Sequence, residues 1–261
     1  MSRVLVTGGT KKDIDAMAVL ALNVRDKTPK LADEMVIFHD GVTEKIQNQF
    51  QKIMPTRFVR YRCPIPKWKL WQNKIIRYFS PMVFCKIECF KLLERYDTVV
   101  WSDYDVIIKE DISDLQQQDK EYSFVCDPDK TLADMFYPAV RKIKLPGFDL
   151  DGGCICTPLF VLQRGGGDYI SYYKWCIDAM SQYIKYLYLP EQAIVTMLVQ
   201  KFQIPFQILS NRTYSAHPKE DGDDVRIIHA YGQPKFWNGL ENPEWNRYFQ
   251  EWRKIYEGCS M

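Results

Sequence analysis

The sequence has 261 residues, of which 46% are hydrophobic and 26% charged, a globular composition that excludes a disordered or fibrous chain. Its 35 Lys and Arg against 33 Asp and Glu leave a formal charge of +2, so no global field points to nucleic acid and phosphate recognition has to be local. No stretch approaches the ~20 apolar residues of a membrane span, which predicts a soluble or peripherally attached chain.

Apolar runs alternate with amphipathic stretches from the start. Arg3 to Thr7 reads as a strand, Asp13 to Asp26 as a helix, Glu34 to His39 as a strand, Val42 to Ile53 as a helix and Phe58 to Arg62 as a strand. Val83, Ile87, Phe90 and Leu93 recur at helical spacing between Pro81 and Arg95, and Thr98 to Trp101 follows as a buried strand. Later, Cys154 to Leu162 reads as a strand, Asp168 to Leu187 and Glu191 to Gln200 as helices, and Val225 to Ala230 as a strand. This rhythm predicts an α/β fold around a mostly parallel sheet. The pieces bearing Pro and Gly are too short to be linkers, so one domain is expected.

The opening run carries no basic segment followed by an apolar one, so a secretory signal is not expected and a cytoplasmic location is. Eight cysteines, at positions 63, 85, 89, 126, 154, 156, 176 and 259, read as reduced core thiols. The pairs Cys85/Cys89 and Cys154/Cys156 lack both the CxxC spacing and a neighbouring His that a metal site would favour. Thr7-Gly8-Gly9 follows a strand but lacks the GxGxxG spacing of a dinucleotide fold.

Two places carry chemistry. The strand ending at Trp101 runs into Ser102-Asp103-Tyr104-Asp105, and Asp is rare at such a position without a reason. Alternation in an extended segment would aim both carboxylates the same way, which suits a hard divalent cation that shares its remaining positions with phosphate oxygens. The second place is Arg226-Ile-Ile-His229-Ala-Tyr-Gly232-Gln-Pro-Lys235. Here a strand delivers His229, Gly232 permits close backbone approach, and Lys235 offers phosphate a point charge.

With both segments in view, the chain resembles the glycosyltransferases of family 8, which include glycogenin-like and lipooligosaccharide galactosyltransferase-like enzymes. Tyr96 to Asp105 is similar to the family's strand and DxD motif, Ile112-Ser113-Asp114-Leu115 to its continuation, and residues 229 to 235 to its His-x-x-Gly-x-x-Lys. Lys86 falls where the family carries an Arg or Lys that reaches the donor. Leu150-Asp151-Gly152-Gly153 falls at its Phe-Asn-x-Gly, and Glu191-Gln192 at its Asp-Gln. Three departures stand out: Thr7 to Asp13 lacks the usual Asp and Tyr that hold the nucleobase, Asp151 replaces an Asn, and Phe236 replaces a common Pro.

The resemblance implies a single Rossmann-like GT-A domain over residues 1 to 240, with a helical tail at 241 to 261 packed on it. It also implies a nucleotide-sugar donor, such as a UDP-linked hexose or related sugar, with Mn2+ or Mg2+ as cofactor and retention of anomeric configuration. A glycan, lipid-linked glycan or protein would accept the sugar. Asp103, Asp105 and His229 would hold the metal. Thr7, Lys86, Tyr104, Gly153, Gly232 and Lys235 would join the two aspartates in binding the donor, while Gln192, Glu191, Asp151 and Lys235 would serve the reaction.

Two other classes fit parts of the sequence. Asp103-x-Asp105, with Gly222-Asp223-Asp224, matches a haloacid-dehalogenase-type phosphohydrolase but leaves the His-Gly-Lys segment unexplained. A non-catalytic nucleotide- or glycan-binding module would keep the donor site alone. Lys67 to Phe79 interleaves aromatics with cations, a pattern that suits nucleic acid, anionic lipid or an acceptor glycan and equally an ordinary helix whose aromatics belong to the core, while this stretch or the tail residues Trp245, Arg247, Trp252, Arg253 and Lys254 would make a peripheral membrane contact.

Overall fold

Alternation along the strands sorts the core into two halves. In β1 (Arg3–Gly9), Val4 and Val6 join one hydrophobic cluster and Leu5 the other. A sheet covered on both faces needs apolar residues at both parities, which is why its strands read as continuous apolar runs. The computed structural model describes residues 1–117, 119–143, 145–165 and 167–258.

After β1 come α1 (Ile14–Lys27), β2 (Glu34–His39), α2 (Glu44–Phe50), β3 (Thr56–Arg60), α3 (Lys67–Leu70) and α4 (Lys74–Phe79). A 3-10 segment, Pro81–Ile87, leads into α5 (Glu88–Leu92), followed by β4 (Thr98–Ser102), β5 (Val106–Ile108), β6 (Tyr122–Thr131), α6 (Val140–Ile143) and β7 (Gly153–Gln163). The chain continues through α7 (Tyr169–Tyr183), α8 (Pro190–Phe202), β8 (Gln207–Ser210), α9 (Asn211–Tyr214), β9 (Ile227–His229) and α10 (Pro243–Glu257).

Seven strands form the central sheet in the order β3-β2-β1-β4-β7-β6-β8. It is mostly parallel: only β7 runs against its neighbours β4 and β6. β5 and β9 form a separate antiparallel ribbon in which Val106 lies opposite His229. Helix α1 holds this ribbon in place. The buried side chain of Asn23 donates to the Ile108 carbonyl at 3.0 Å and accepts from the Ile108 amide at 2.6 Å, so the ribbon's inner edge has hydrogen-bond partners away from water.

The structure moves several expected boundaries. The strand expected at 58 to 62 lies at Thr56–Arg60, and the helix expected at 81 to 95 divides into the 3-10 segment and α5. Strands β6 and β8 were not expected at all. The long helix expected through Leu187 ends at Tyr183, where the buried Asn73 amide takes the carbonyls of Ile184 and Leu187, each at 2.6 Å.

The tail helix α10 buries Trp245 and Trp252, and Trp252 donates its indole N–H to Asp15 at 2.8 Å. These two aromatics belong to the core and are not free for a membrane. No helix among the described residues is long and apolar enough to cross one. Seven of the cysteines are free thiols, and Cys259 lies outside the described residues.

Under the sheet, Glu88 is half-buried at the start of α5 and accepts from the Tyr173 hydroxyl at 2.9 Å. Burial pushes its carboxyl above the ordinary value, and the Tyr173 bond offsets only part of this. Such a group binds more protons folded than unfolded, so the fold loses stability as pH rises from the unfolded-state value through the folded one. Glu88→Gln keeps an acceptor for Tyr173 and removes that loss. Thermal scans are expected to show a higher Tm for the variant near pH 7 and equal Tm values near pH 4; equal values at both would remove Glu88 as a source of pH dependence.

Candidate active site

The carboxyl ends of β1 and β4 open into a cleft of about 1330 Å³, as expected where parallel strands diverge to neighbours on either side. This exceeds the ~300–1,000 Å³ of ordinary small-molecule pockets. Gly8 and Gly9 from β1, Asp103 and Asp105 after β4, the start of α8 and the segment from Tyr231 to Trp237 all line it.

At its centre, the register of β5 and β9 brings the DxD segment to the histidine. His229 Nε2 lies 3.3 Å from Asp105 Oδ1 and 3.8 Å from Asp103 Oδ2. The residues from 103 to 105 form a bend, not the extended segment expected, and the bend is what turns both carboxylates to one point. One ligand atom from each of the three residues lies within 4.8 Å of the others. The other ring nitrogen, Nδ1, sits 2.9 Å from Ser215 Oγ, the kind of outer partner that orients a metal-binding histidine. Two carboxylates and one imidazole converge here, a donor set that fits a divalent cation.

Two lysines balance this acidic centre. Lys235 pairs with Asp105 and donates to the Ala230 carbonyl at 2.7 Å. Burial alone would raise the Asp105 carboxyl, but His229 and Lys235 together hold it well below the ordinary carboxylate range. Lys86 is buried and reaches Asp103 at 2.9 Å, the Thr157 carbonyl at 3.0 Å and Glu191 Oε1 at 3.3 Å. Its ammonium would titrate low from burial alone, yet the two carboxylates hold it above its usual value. The Trp101 indole N–H, 2.9 Å from Asp103 Oδ1, completes the shell.

The expected residues do not all arrive. Tyr104, Gly232, Glu191 and Gln192 line the cleft with the aspartates, His229 and both lysines. Gly232 has φ +73°, a conformation that favours glycine. Glu191 turns inward to Lys86 and to the Thr157 hydroxyl at 3.2 Å, leaving Gln192 as the α8 side chain beside it on the cleft. Thr7 is fully buried beneath the floor and does not line the cleft.

Asp151 is largely exposed and pairs with Arg141 at 3.1 Å; neither it nor Gly153 is among the residues that line the cleft. The part of β7 that reaches the site is Cys156 to Pro158, because the Asp103 amide donates to the Pro158 carbonyl at 2.7 Å and fixes the register there. Asp224, from the second acidic motif, pairs with exposed Arg212 at 3.0 Å. It does not line the cleft, so a phosphohydrolase centre is not assembled.

Asp13 was not singled out in the sequence. It accepts from the Thr10 amide and hydroxyl, each at 2.8 Å, and bonds the Tyr104 hydroxyl. Gly9 makes that approach possible: a Cβ there would stand 3.0 Å from the Tyr104 ring. Trp237 lies over the same ring, with centroids 6.1 Å apart. The one available signal was an acid at a helix start just after a strand.

The family model for Glycosyl transferase family 8 matches residues 5–145, more than half of the chain. The chain belongs to this family. Membership sets aside the phosphohydrolase reading, whose acidic motif lies outside the cleft. No curated protein sequence matches the chain.

Solved structures are similar in fold. The apo structure of the bifunctional glycosyltransferase WbbM matches with TM-score 0.69 and 13% identity over 98% of this chain, which spans about half (51%) of the WbbM chain. The galactosyltransferase LgtC, in complex with donor and acceptor sugar analogues, gives TM-score 0.66 and 13% identity over 98% of this chain and 95% of its own. GlyE of Streptococcus pneumoniae TIGR4 gives 0.61 and 14% over 100% and 63%. The family 8 chain thus has the α/β GT-A architecture, with a central, mostly parallel sheet between helices.

In this family 8 cleft, Lys86→Met would leave Asp103 and Glu191 without their buried cation. Breaking a buried ion pair in this way costs about 3–5 kcal/mol. Urea unfolding of the variant is expected to show a loss of that size; a loss below about 1 kcal/mol would mean that the carboxylates are hydrated once Lys86 is gone.

Proposed function

We propose that the protein is a metal-dependent retaining glycosyltransferase that moves a sugar from a nucleoside diphosphate donor, such as a UDP-linked hexose, to a glycan, lipid-linked glycan or protein acceptor. The observation that carries this reading is the convergence of Asp103, Asp105 and His229, with Lys235 and Lys86 beside them, in one cleft at the carboxyl ends of β1 and β4.

Departure of the diphosphate places negative charge on the leaving oxygens and positive charge on the anomeric carbon. Asp103, Asp105 and His229 would hold Mn2+ or Mg2+, which when bound neutralises phosphate charge. Lys235 supplies a second positive charge on that side. Its present partner, Asp105, is also a candidate metal ligand, so the ammonium is poised to exchange a carboxylate for a phosphate oxygen.

Retention requires either a nucleophile on the far face or a front-face route in which the leaving phosphate helps to deprotonate the acceptor. Glu191 is engaged by Lys86 and Thr157, which takes it out of the role of nucleophile. Gln192 is a poor nucleophile and lines the cleft, where its amide would steady the cation-like sugar. The front-face route therefore has the better support. Asp151, Thr7 and Gly153 have no place in this proposal, since none of them lines the cleft.

The experiment is transfer from a panel of nucleotide sugars, with the anomeric configuration of the product read by proton NMR. EDTA is expected to abolish turnover and Mn2+ to restore it, with Asp105→Asn folded and inactive. An inverted product, or full activity in EDTA, defeats the reading. Lys235→Met is expected to lower kcat on the order of 100-fold, the usual scale for one electrostatic stabiliser, with a smaller change in acceptor KM. Unchanged kinetics would leave Lys235 as a structural partner of Asp105 alone.

A further inference from the structure

Between Lys45 and Ile87 the sequence contains no Asp or Glu and ten Lys and Arg. In a chain of net charge +2, the remainder is therefore acidic on balance and the positive charge is concentrated in one stretch. Its middle is the pair α3–α4. Here Trp68, Trp71, Tyr78 and Phe79 are 65%, 72%, 68% and 51% exposed, and Lys67, Lys74 and Arg77 are exposed among them.

Single exposed aromatics are ordinary on a protein surface, but four within twelve residues are not. The element is firmly mounted. Leu70 and Ile76 are buried, and the Asn73 side chain accepts from the Ile75 and Ile76 amides at 2.9 and 3.1 Å while donating to the carbonyls of Ile184 and Leu187. Lys69 anchors the other end on Ser181 Oγ at 2.6 Å. The rings are thus held out in water by a rigid base and are not frayed from the core.

Four rings this exposed offer a broad apolar contact to whatever meets this face. Trp and Tyr present an apolar ring with a polar tip, and Lys and Arg lay an apolar stem under a charged head. That combination, free of acids, complements anionic lipid headgroups over apolar chains. We propose that α3–α4 docks the protein on an anionic bilayer, with Trp68 and Trp71 at headgroup depth and Lys67, Lys74 and Arg77 on the lipid charges. Because Tyr78, Phe79 and Ser80 also line the cleft, docking sets the cleft mouth beside the headgroups. The proposal stands on this surface alone and does not depend on which sugar is transferred.

The test is co-sedimentation of the full chain with phosphatidylcholine vesicles and with vesicles that also contain phosphatidylserine. Binding to the anionic vesicles is expected at low salt and is expected to weaken as salt rises. The double variants Trp68→Ala/Trp71→Ala and Lys67→Glu/Lys74→Glu should each lower that binding by at least about tenfold. Their thermal unfolding should match the parent, since all four side chains are exposed. No binding to the anionic vesicles, equal binding to neutral ones, or parental binding in both double variants overturns the proposal. Retention on a soluble polyanion without vesicle binding would do so as well, because it would make the surface a polyanion site.

Discussion

The pairing of Val106 with His229 is the constraint on which the site depends. Two strands of three residues each, from distant parts of the chain, share a short ribbon, and the ends of that ribbon carry Asp105 and His229. Backbone hydrogen bonds in so short a ladder contribute little by themselves. The ribbon is held because Ile107 and Ile228 are buried in the core and because Asn23 of α1 satisfies the backbone of Ile108. Helix α10 then covers α1, with Trp252 bonded to Asp15. The geometry of the Asp103, Asp105 and His229 cluster therefore traces back to ordinary apolar packing on the side of the sheet away from α8.

Charge explains the rest of the cleft. Asp103, Asp105 and Glu191 face Lys86 and Lys235, so three carboxylates meet two ammonium groups. One negative charge remains beside His229, which favours a cation. A divalent ion there would leave the set net positive, and a diphosphate would then find a matched partner. On the proposed function, matching of this kind would couple the metal and the donor, with neither fully complemented alone.

Most of the architecture was legible because its signals are local. β1, β2 and β4 are apolar runs bounded by polar residues, and the Asp103-x-Asp105 and His229-x-x-Gly-x-x-Lys235 spacings survive without any alignment. β6 was hidden by its second half: Asp127-Pro128-Asp129-Lys130 reads as a turn, yet it continues the strand at the edge of the cleft. β8 has four residues with Ile208 exposed, and only its parallel pairing with β6 makes it a strand. Asp151 does not line the cleft, for a related reason. Asp151-Gly152-Gly153 has the composition of a site loop, but which residues of β7 reach the cleft is decided by register against β4, and that register is tertiary. The 3-10 segment at Pro81–Ile87 shares its apolar spacing with an α-helix, so periodicity alone does not separate the two.

The Lys86 cluster makes little sense as a device for stability. Taking an ammonium and two carboxylates out of water is costly, and well-packed apolar residues of similar volume in such a place are often neutral or stabilising. Nor is the cluster needed to join elements: β4, β7 and α8 are already packed through Trp101, Phe160 and Ile194, all of which are nearly inaccessible. What apolar residues would not provide is a fixed field. Lys86 fixes Asp103 from one side while Trp101 donates to it, and it occupies the Glu191 carboxylate while the neutral Gln192 lines the cleft beside it. On the proposed function, a rigid acid at the metal position and an uncharged amide beside the sugar are opposite requirements within one cleft. One buried lysine shared between two carboxylates meets both of them.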